Sequence, residues 1–409
     1  MLFLGFGSGL PYILLISTST AWLRDVNVDL SYIGFFTWIT FTYTFKFVWA
    51  PLVDRFPIPF LAQYGHRKSW IAFMQILIFL SLLFISNIDP IENFILFCAV
   101  GATIAFAGSI QDIAIDAFRI EYAHISDQGN LAASYQLGYR LAIIAATSIA
   151  LIFADINGWS MTFKLMAGLM CLGLLGVIFS KEEKNKELGK LNFINSIVEP
   201  LKDFFSRFGM FMASILLLII ATYRLTDIVM GPMATPFYID MGFTLTEIGA
   251  VVKVIALFAS IFGIFFGGLL IKKVKIFKSL LLGAFLVMLT NILFAYVAVS
   301  EKSISSLAII VAMDSLAAGI VGTVNIAFLT SLVSKKYTGF QYALLTGFMA
   351  GPGFVLKGLS GVWANHLQEI FGFAYGWMAF YITTSMLTIP SILLLFSYRN
   401  FLTEHEKTL

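Results

Sequence analysis

Nine ionisable side chains stand inside long apolar stretches of this 409-residue sequence. A charged side chain at the centre of a bilayer costs about 2.5 to 3.5 kcal/mol on insertion scales, so each of them needs a compensating role. The nine are the acids Asp112, Asp116, Asp227 and Asp314 and the bases Lys46, Arg140, Arg224, Lys253 and Lys357. Their excess of one positive charge predicts an interior that suits an anionic ligand.

Asp112 and Asp116 are four residues apart, so on a helix they share one face. At 1.5 Å per residue, Asp112 and Arg140 lie about 10 Å and about 14 Å inside the ends of their apolar segments. A contact between these two side chains is therefore expected. A ligand that competes for the arginine would raise the proton affinity of the carboxylate, which predicts Asp112 and Asp116 as proton-coupling groups. The alternative is a structural ion pair between two helices.

Arg224 and Asp227 are three residues apart and can neutralise each other, so a structural pair and a binding role for Arg224 both stay open. Pro232 and Pro236 follow in the same segment. Proline removes a backbone donor and breaks a helix, which membrane transporters tolerate where the backbone lines a cavity. The segment is therefore a candidate gating helix. The predicted gating residues are Asp54, Arg55, Asp116, Arg119, Pro232 and Pro236.

The composition identifies the elements that must position these charges. Hydrophobic residues make up 59% of the chain and charged residues only 12%, against about 25% in soluble proteins, which excludes a water-soluble domain. At about 20 residues per crossing, twelve membrane-spanning helices fit the sequence. They are predicted near 1–23, 31–53, 69–86, 94–119, 131–153, 160–180, 209–239, 245–270, 279–299, 304–332, 341–366 and 374–397.

The basic residues outside these helices are strongly asymmetric. Of the 26 Lys and Arg residues, 18 lie in loops on the side of the N-terminus and three on the opposite side. Because short cytoplasmic loops carry the excess of Lys and Arg, both termini are predicted to be cytoplasmic. The net charge of +3 is too small to indicate a nucleic-acid surface.

One long polar segment, with its KEEKNKELGK run, divides the chain into two sets of six helices. The predicted domains are residues 1–180 and 209–409, joined by a cytoplasmic linker over 181–208. The pattern L-[ST]-x-I-G opens the second helix at Leu30–Gly34 and the eighth at Leu245–Gly249. Ser31 and Thr246 suit helix N-caps, so two similar helix starts are the simple alternative to a repeat. Parallel six-helix repeats are typical of the major facilitator superfamily.

Six short stretches carry a more specific resemblance. They are GFGSGLP (5–11), FKFVWAPLVDRF (45–56), SIQDIAIDAF (109–118), LGYRLA (137–142), PLKDFF (200–205) and QYALL (341–345). On these motifs the chain resembles the AmpG muropeptide permeases, a branch of the major facilitator superfamily related to acetyl-CoA transporters. The resemblance places Lys46, Asp112, Asp116 and Arg140 at motif positions, in agreement with the charge argument.

The resemblance implies an all-α membrane protein with the major facilitator fold that works by alternating access. Such permeases import N-acetylglucosaminyl-1,6-anhydro-N-acetylmuramyl peptides across the bacterial inner membrane by proton symport, for peptidoglycan recycling. The substrate would be an anionic glycopeptide, whose carboxylates suit basic side chains and whose sugar hydroxyls suit amides and tyrosines such as Tyr139. The predicted substrate-binding residues are Gln111, Arg140, Arg224, Lys253, Lys357 and Asn325.

Other classes of protein are less well supported by the sequence. It contains no HExxH motif, no Ser-His-Asp set and no cofactor motif, so we expect no enzyme, no metal and no cofactor. The expected partners are the small anionic substrate, protons and the lipid bilayer, without nucleic acid and with the protein as a monomer. The alternatives are a transporter of acyl-CoA or another organic anion, and a transport-inactive membrane sensor. The glycines of Gly5–Pro11 are expected to serve close helix packing or a kink.

Overall fold

The computed structural model describes residues 1–46, 48–49, 53, 56, 58–59, 61–122, 128–180, 193–334 and 338–407. These residues are helical almost throughout, and no β-strand occurs among them. Nine of their helical segments are long and apolar enough to cross a membrane. The segment Leu245–Val299 has 55 residues, enough for two crossings, and its backbone leaves the helical region at Lys275 with φ 69°. The all-α membrane architecture predicted from composition is confirmed.

The described part of the chain folds into successive α-helices. In chain order the first ten are α1 (Leu2–Ile13), α2 (Ser19–Asp25), α3 (Leu30–Phe36), α4 (Phe41–Thr44), α5 (His66–Ile85), α6 (Phe94–Tyr122), α7 (Gln128–Ile144), α8 (Ala150–Asn157), α9 (Trp159–Phe179) and α10 (Phe193–Phe208). The remaining nine are α11 (Met210–Tyr223), α12 (Leu225–Asp240), α13 (Leu245–Glu247), α14 (Lys253–Val299), α15 (Ile304–Leu332), α16 (Thr338–Phe371), α17 (Phe373–Met386), α18 (Ile389–Ser397) and α19 (Arg399–Lys407).

The helices pack into two compact units. The first consists of Met1–Asp29, Phe35–Gly189 and Phe243–Lys253, and the second of Leu30–Gly34, Lys190–Gly242 and Val254–Leu409. Each unit therefore includes a short segment from the part of the sequence that otherwise builds the other unit. These two segments contain the two copies of the L-[ST]-x-I-G pattern, so each copy packs with the unit that the other half of the sequence builds.

The final glycine of each copy allows a close backbone approach. A Cβ on Gly34 would lie 2.5 Å from the carbonyl oxygen of Gly358 in the second unit, and a Cβ on Gly249 would lie 2.9 Å from that of Ser148 in the first. The expectation that Thr246 is an N-cap is wrong. Thr244 caps α13, and the Thr246 hydroxyl instead donates to Asp155 Oδ2 at 2.5 Å.

A second repeated feature was not recognised in the sequence. In the first unit, the indole of Trp159 donates to Asp25 at the end of α2, with an Nε1 to Oδ2 distance of 2.7 Å. In the second unit, the indole of Trp377 donates to Asp240 at the end of α12, at 2.9 Å. The two aspartates are 215 residues apart, the same interval that separates the first residues of the two L-[ST]-x-I-G copies. Both units therefore contain the same contact between a tryptophan indole and an aspartate at the end of a helix.

Three helical segments of the first unit contain a turn of π-helix. These turns are Leu14–Thr18, Ala145–Ile149 and Ile248–Val252, and the second of them contacts both of the others. The Thr18 hydroxyl donates to the carbonyl of Ala146, which joins two of the turns directly. Such turns occur mostly as single interruptions of α-helices and often near functional sites.

The second unit contains a polar cluster in which α10 meets the beginning of α16. Gln341 is fully buried, and its amide nitrogen donates to the carbonyl of Pro200 and to Asp203 Oδ2, both at 2.9 Å. Its amide oxygen accepts from the backbone of Ser334 at 2.7 Å and from Arg207 Nη2 at 3.0 Å. All four hydrogen-bonding positions of this side-chain amide are thus occupied. The PLKDFF and QYALL motifs therefore meet in one cluster.

Replacement of Gln341 by leucine, which has a similar volume, tests the importance of this cluster. The Gln341→Leu variant leaves the buried carbonyl of Pro200 without this donor, at a cost of about 1 to 3 kcal/mol, so we expect a lower thermal unfolding midpoint in detergent. Gln63 is exposed, and Gln63→Leu is the matched control that should leave the midpoint unchanged. Equal midpoints for both variants would contradict this prediction.

Candidate functional site

The candidate site of the first unit is centred on Asp112, on α6. The hydroxyl of Ser8, on α1, donates to Asp112 Oδ1 at 2.5 Å and shares a second hydrogen bond of 2.7 Å with the hydroxyl of Tyr135, on α7. Ser8 is fully buried. Since Ser8 donates to Asp112, Tyr135 is the donor to Ser8 in this arrangement. Three helices therefore supply a continuous chain of hydrogen bonds that ends at a carboxylate.

The helices that carry Ser8 and Tyr135 approach each other closely because glycines lie at their contact. A Cβ on Gly5 would lie 2.1 Å from the carbonyl oxygen of Tyr135, and one on Gly138 would lie 1.9 Å from that of Leu2. Real Cβ atoms do not come this close to a backbone oxygen. The expectation that the glycines of GFGSGLP serve close helix packing is confirmed, and the packing places Ser8 within reach of Asp112.

Four tyrosines surround this chain of hydrogen bonds. The rings of Tyr12 and Tyr43 meet edge to face with their centroids 4.8 Å apart, and those of Tyr135 and Tyr139 are 6.4 Å apart. Asp112 acts electrostatically on all four phenols. Only Tyr139 was named from the sequence. Its spacing of four residues from Tyr135 was the available signal, because two such positions share a helix face.

A cluster of ionic side chains lies one helical turn further along α6. Asp116 pairs with Lys46 at 3.8 Å and with Arg119 at 3.5 Å, and the Arg119 guanidinium lies 6.0 Å from the ring centroid of Tyr135. The side chains of Lys46 and Asp116 are 45% and 40% exposed, so these pairs contribute little stability by themselves. Asp116 and Arg119, two of the predicted gating residues, are therefore in contact with each other.

The expected contact between Asp112 and Arg140 does not form among the described residues. Ser8 is the hydrogen-bond partner of Asp112, and the cation that acts on its carboxylate is Lys46. A depth estimate places two residues at one level of the membrane, but it does not say whether their helices turn those side chains toward each other. Asp54 and Arg55, the other predicted gating charges, lie outside the described residues.

The predicted substrate-binding residues are divided between the units. Gln111 and Lys253 lie in the first unit together with Arg140. Gln111 is fully buried, and its amide nitrogen donates to the carbonyl of Gly7 at 2.6 Å, so it packs α6 against α1 directly beside Ser8. Lys253 begins α14, immediately after the π-helical turn Ile248–Val252.

The other predicted binding residues lie in the second unit. The ammonium group of Lys357 lies 5.1 Å from the ring centroid of Phe354, on the same helix. Asn325 is buried, and its amide nitrogen lies 2.9 Å from the sulfur of Met349, while its amide oxygen has no hydrogen-bond partner. Asn325 is thus an incompletely satisfied polar group, and Lys357 is a cation on an aromatic surface.

Arg224 lies where the helix of the seventh predicted span is interrupted. Its backbone, with φ −109° and ψ 12°, separates α11 from α12, and its guanidinium pairs with Asp227 at 3.2 Å. Asp227 belongs to the first turn of α12, where a carboxylate is stabilised by the helix dipole. The structural pairing that the sequence left open is therefore formed.

Pro232 and Pro236 do not break the helix, contrary to what their positions predict. Both are buried inside the continuous helix α12. Each proline removes only one backbone donor, and the interruption instead occurs at Arg224, eight residues before Pro232. Among the described residues no group of three or more His, Cys, Asp or Glu side chains could hold a metal ion.

Comparisons with known proteins agree on one family. The model of the Major Facilitator Superfamily matches residues 1–356. A protein of Rickettsia conorii named "Putative transporter AmpG 4" is 31% identical over 399 residues, which cover 96% of this chain and 94% of that protein. The "Anhydromuropeptide permease" of Escherichia coli K12 is 32% identical over 397 residues, which cover 97% of this chain and 78% of that protein.

Solved structures show the same fold at low sequence identity. A bacterial homologue of the human lysosomal transporter Spinster has a TM-score of 0.72 at 12% identity, with 99% of this chain and 97% of the other covered. The nucleoside transporter NupG has a TM-score of 0.66 at 13% identity, with 98% of each chain covered. The predicted major facilitator fold is thereby confirmed.

The close contact between α1 and α7 can be tested by adding a single methyl group. Gly138→Ala places a Cβ against the Leu2 carbonyl, and we expect overpacking to lower the free energy of unfolding by about 1 to 3 kcal/mol. Gly168→Ala is the matched control, since nothing lies within 4 Å of a Cβ at that position on α9. Thermal unfolding in detergent should separate the two variants, and a Gly138→Ala midpoint equal to that of wild type would refute the proposed contact.

Proposed function

The chain belongs to the Major Facilitator Superfamily and to its AmpG branch of membrane transporters, and from that premise we propose that it imports anhydromuropeptides by proton symport. The transport would run across the bacterial inner membrane, with both termini cytoplasmic, and would serve peptidoglycan recycling. The observation that carries the proposal is the chain from Tyr135 through Ser8 to the carboxylate of Asp112. It supports proton binding at Asp112.

The hydroxyl of Ser8 suits both protonation states of Asp112. It donates to the ionised carboxylate in the arrangement described, and rotation of the hydroxyl would let it accept from the protonated acid. Proton binding makes one O–H bond at a carboxylate oxygen and breaks one in hydronium or water. Because Tyr135 can donate to Ser8 or accept from it, the chain adjusts to either state without a buried polar group losing its partner.

The four tyrosines support a sugar-containing substrate. Aromatic rings offer flat apolar faces for sugar rings, and their hydroxyls offer donors for sugar hydroxyls. The rings of Tyr12, Tyr43, Tyr135 and Tyr139 lie beside Asp112, so in this proposal substrate and proton bind next to each other. Arg140, in the same unit as these tyrosines, is the proposed partner for a substrate carboxylate.

Asp116 has a different proposed part in the cycle. Its pairs with Lys46 and Arg119 are partly exposed, and such pairs break and form at little cost. We assign this ionic cluster to the inner gate, where it exchanges partners during alternating access. Because Asp116 is only one helical turn from Asp112, a change of charge at one carboxylate changes the electrostatic potential at the other.

The substrate is tested by uptake of radiolabelled anhydromuropeptide into proteoliposomes that contain the purified protein. With an inward proton gradient the substrate should accumulate above its external concentration, and without a gradient it should only equilibrate. Folded protein that takes up acyl-CoA or another organic anion, and no muropeptide, would contradict the proposed substrate. Failure with every anion would favour the transport-inactive sensor.

Asp112→Asn tests the coupling. An amide cannot bind the proton, so gradient-driven accumulation should fall to the level seen without a gradient, whereas exchange of labelled for unlabelled substrate should continue. Asp89→Asn is the matched control, because Asp89 is exposed in a loop and its cap on the backbone of Ile91 is one that asparagine also makes. Uphill uptake by Asp112→Asn at the rate of the control would remove Asp112 from the mechanism.

Two substitutions of Tyr139 test whether its aromatic ring contacts the substrate. Tyr139→Phe keeps the flat face and should change the KM for muropeptide by less than Tyr139→Leu, which removes it. We expect roughly a tenfold rise in KM for the leucine variant, since one aromatic contact contributes about 1 kcal/mol or more. Equal KM values for the two variants would mean that the ring does not contact the substrate.

A further inference from the structure

Asp314 is a carboxylate that the proposed function does not use. It lies in the second unit, ten residues after the first residue of α15, and so about 15 Å along that helix. A bilayer core is about 30 Å thick, so this position is close to the middle of the membrane. The side chain is mostly buried. An acid at this depth needs a partner or a proton.

The direct contacts of Asp314 leave its charge uncompensated. The hydroxyl of Thr290, a buried residue of α14, donates to Asp314 Oδ1 at 2.8 Å. Among the described residues no lysine, arginine or histidine comes within ion-pairing distance of this carboxyl group. One neutral hydroxyl stabilises a buried carboxylate far less than a cation does.

The groups on the surrounding helices do not supply the missing charge. From α12, Asp227 acts on Asp314 as a second acid, and its own charge is already compensated by Arg224. Among the described residues, Asp314 also acts on the phenols of Tyr238, on α12, and of Tyr381, on α17. The hydroxyl of Tyr381 is buried and has no hydrogen-bond partner. The described groups that act on Asp314 are therefore a neutral hydroxyl, two phenols and a second acid.

We propose that Asp314 is a second proton-binding site of this protein, separate from Asp112, and that it holds a proton in the conformation described here. Protonation forms one O–H bond at the carboxyl group, breaks one O–H bond in hydronium, and removes the uncompensated charge from the membrane interior. The Thr290 hydroxyl then donates to the carbonyl oxygen of a neutral acid.

The site acquires a role through the neighbouring ion pair. Release of the proton would place a second negative charge near Asp227, the ion-pair partner of Arg224. Arg224 lies at the break between α11 and α12, so a change at this ion pair acts where the seventh span is interrupted. The protonation state of Asp314 is thereby coupled to the ion pair at this break. This coupling to transport rests on the proposed function, whereas proton binding by Asp314 does not.

Infrared spectroscopy of the purified protein in lipid tests proton binding without any substrate. A protonated carboxylic acid has a carbonyl stretching band that a carboxylate lacks. In difference spectra against wild type, Asp314→Asn should lose such a band, whereas Asp89→Asn, in an exposed loop, should lose none. Identical carbonyl spectra for wild type and a folded Asp314→Asn variant would overturn the proposal.

Thr290→Val provides a second measurement that does not depend on folding of the asparagine variant. Valine has nearly the shape of threonine and removes only the hydroxyl that donates to Asp314. The carbonyl band should remain and move to higher frequency, because the carbonyl oxygen loses its hydrogen bond. A spectrum that does not move would contradict the proposal. Because these spectra need no transported compound, their result is independent of the uptake measurements with Asp112→Asn.

Discussion

The close approach of α1 and α7 is the constraint on which the candidate site depends. The backbones meet at Gly5 and Gly138, where any side chain would collide with a carbonyl oxygen of the other helix. Only at this separation can the short side chain of Ser8 reach both Asp112 and Tyr135. A serine hydroxyl extends little beyond the backbone, so the glycines determine whether the carboxylate has a donor at all. The packing of α1 against α7 therefore determines whether Asp112 has a hydrogen-bond donor.

The two units share one helix-to-helix contact. In each unit a tryptophan indole donates to an aspartate at the end of another helix, Trp159 to Asp25 and Trp377 to Asp240. A charge-assisted hydrogen bond of this kind joins two helices more strongly than one between neutral groups. The two units differ in their polar interiors. Asp112 lies among tyrosines and near an ionic cluster, whereas Asp314 accepts a hydrogen bond from Thr290 and is affected by the charge of Asp227.

The sequence predicted what depends on local spacing. The all-α membrane fold follows from composition and from runs of apolar residues, and the Arg224–Asp227 pair follows from an interval of three residues on one helix. The partner of Asp112 could not be predicted in this way. Ser8 is 104 residues away, and the choice between it and Arg140 depends on the rotation of each helix about its axis. Helical periodicity in one segment contains no information about that rotation.

The two prolines of α12 show a second limit of prediction from sequence. Pro232 and Pro236 are the strongest local signals for a broken helix, yet α12 runs through both. The break falls at Arg224, where an ion pair at the beginning of α12 stabilises a new helix start. Sequence rules describe the intrinsic cost of a residue in a helix. They do not include the long-range contacts that can outweigh that cost.

The π-helical turns have a consequence for the register of the long helices. A π-turn closes its hydrogen bonds over five residues instead of four, so it contains one residue more than the α-helical turn it replaces. In an α-helix one residue corresponds to a rotation of about 100°. The turn Leu14–Thr18 separates Ser8 from Asp25 along the first span. It therefore shifts the rotation of the first span between Ser8, which donates to Asp112, and Asp25, which accepts from Trp159.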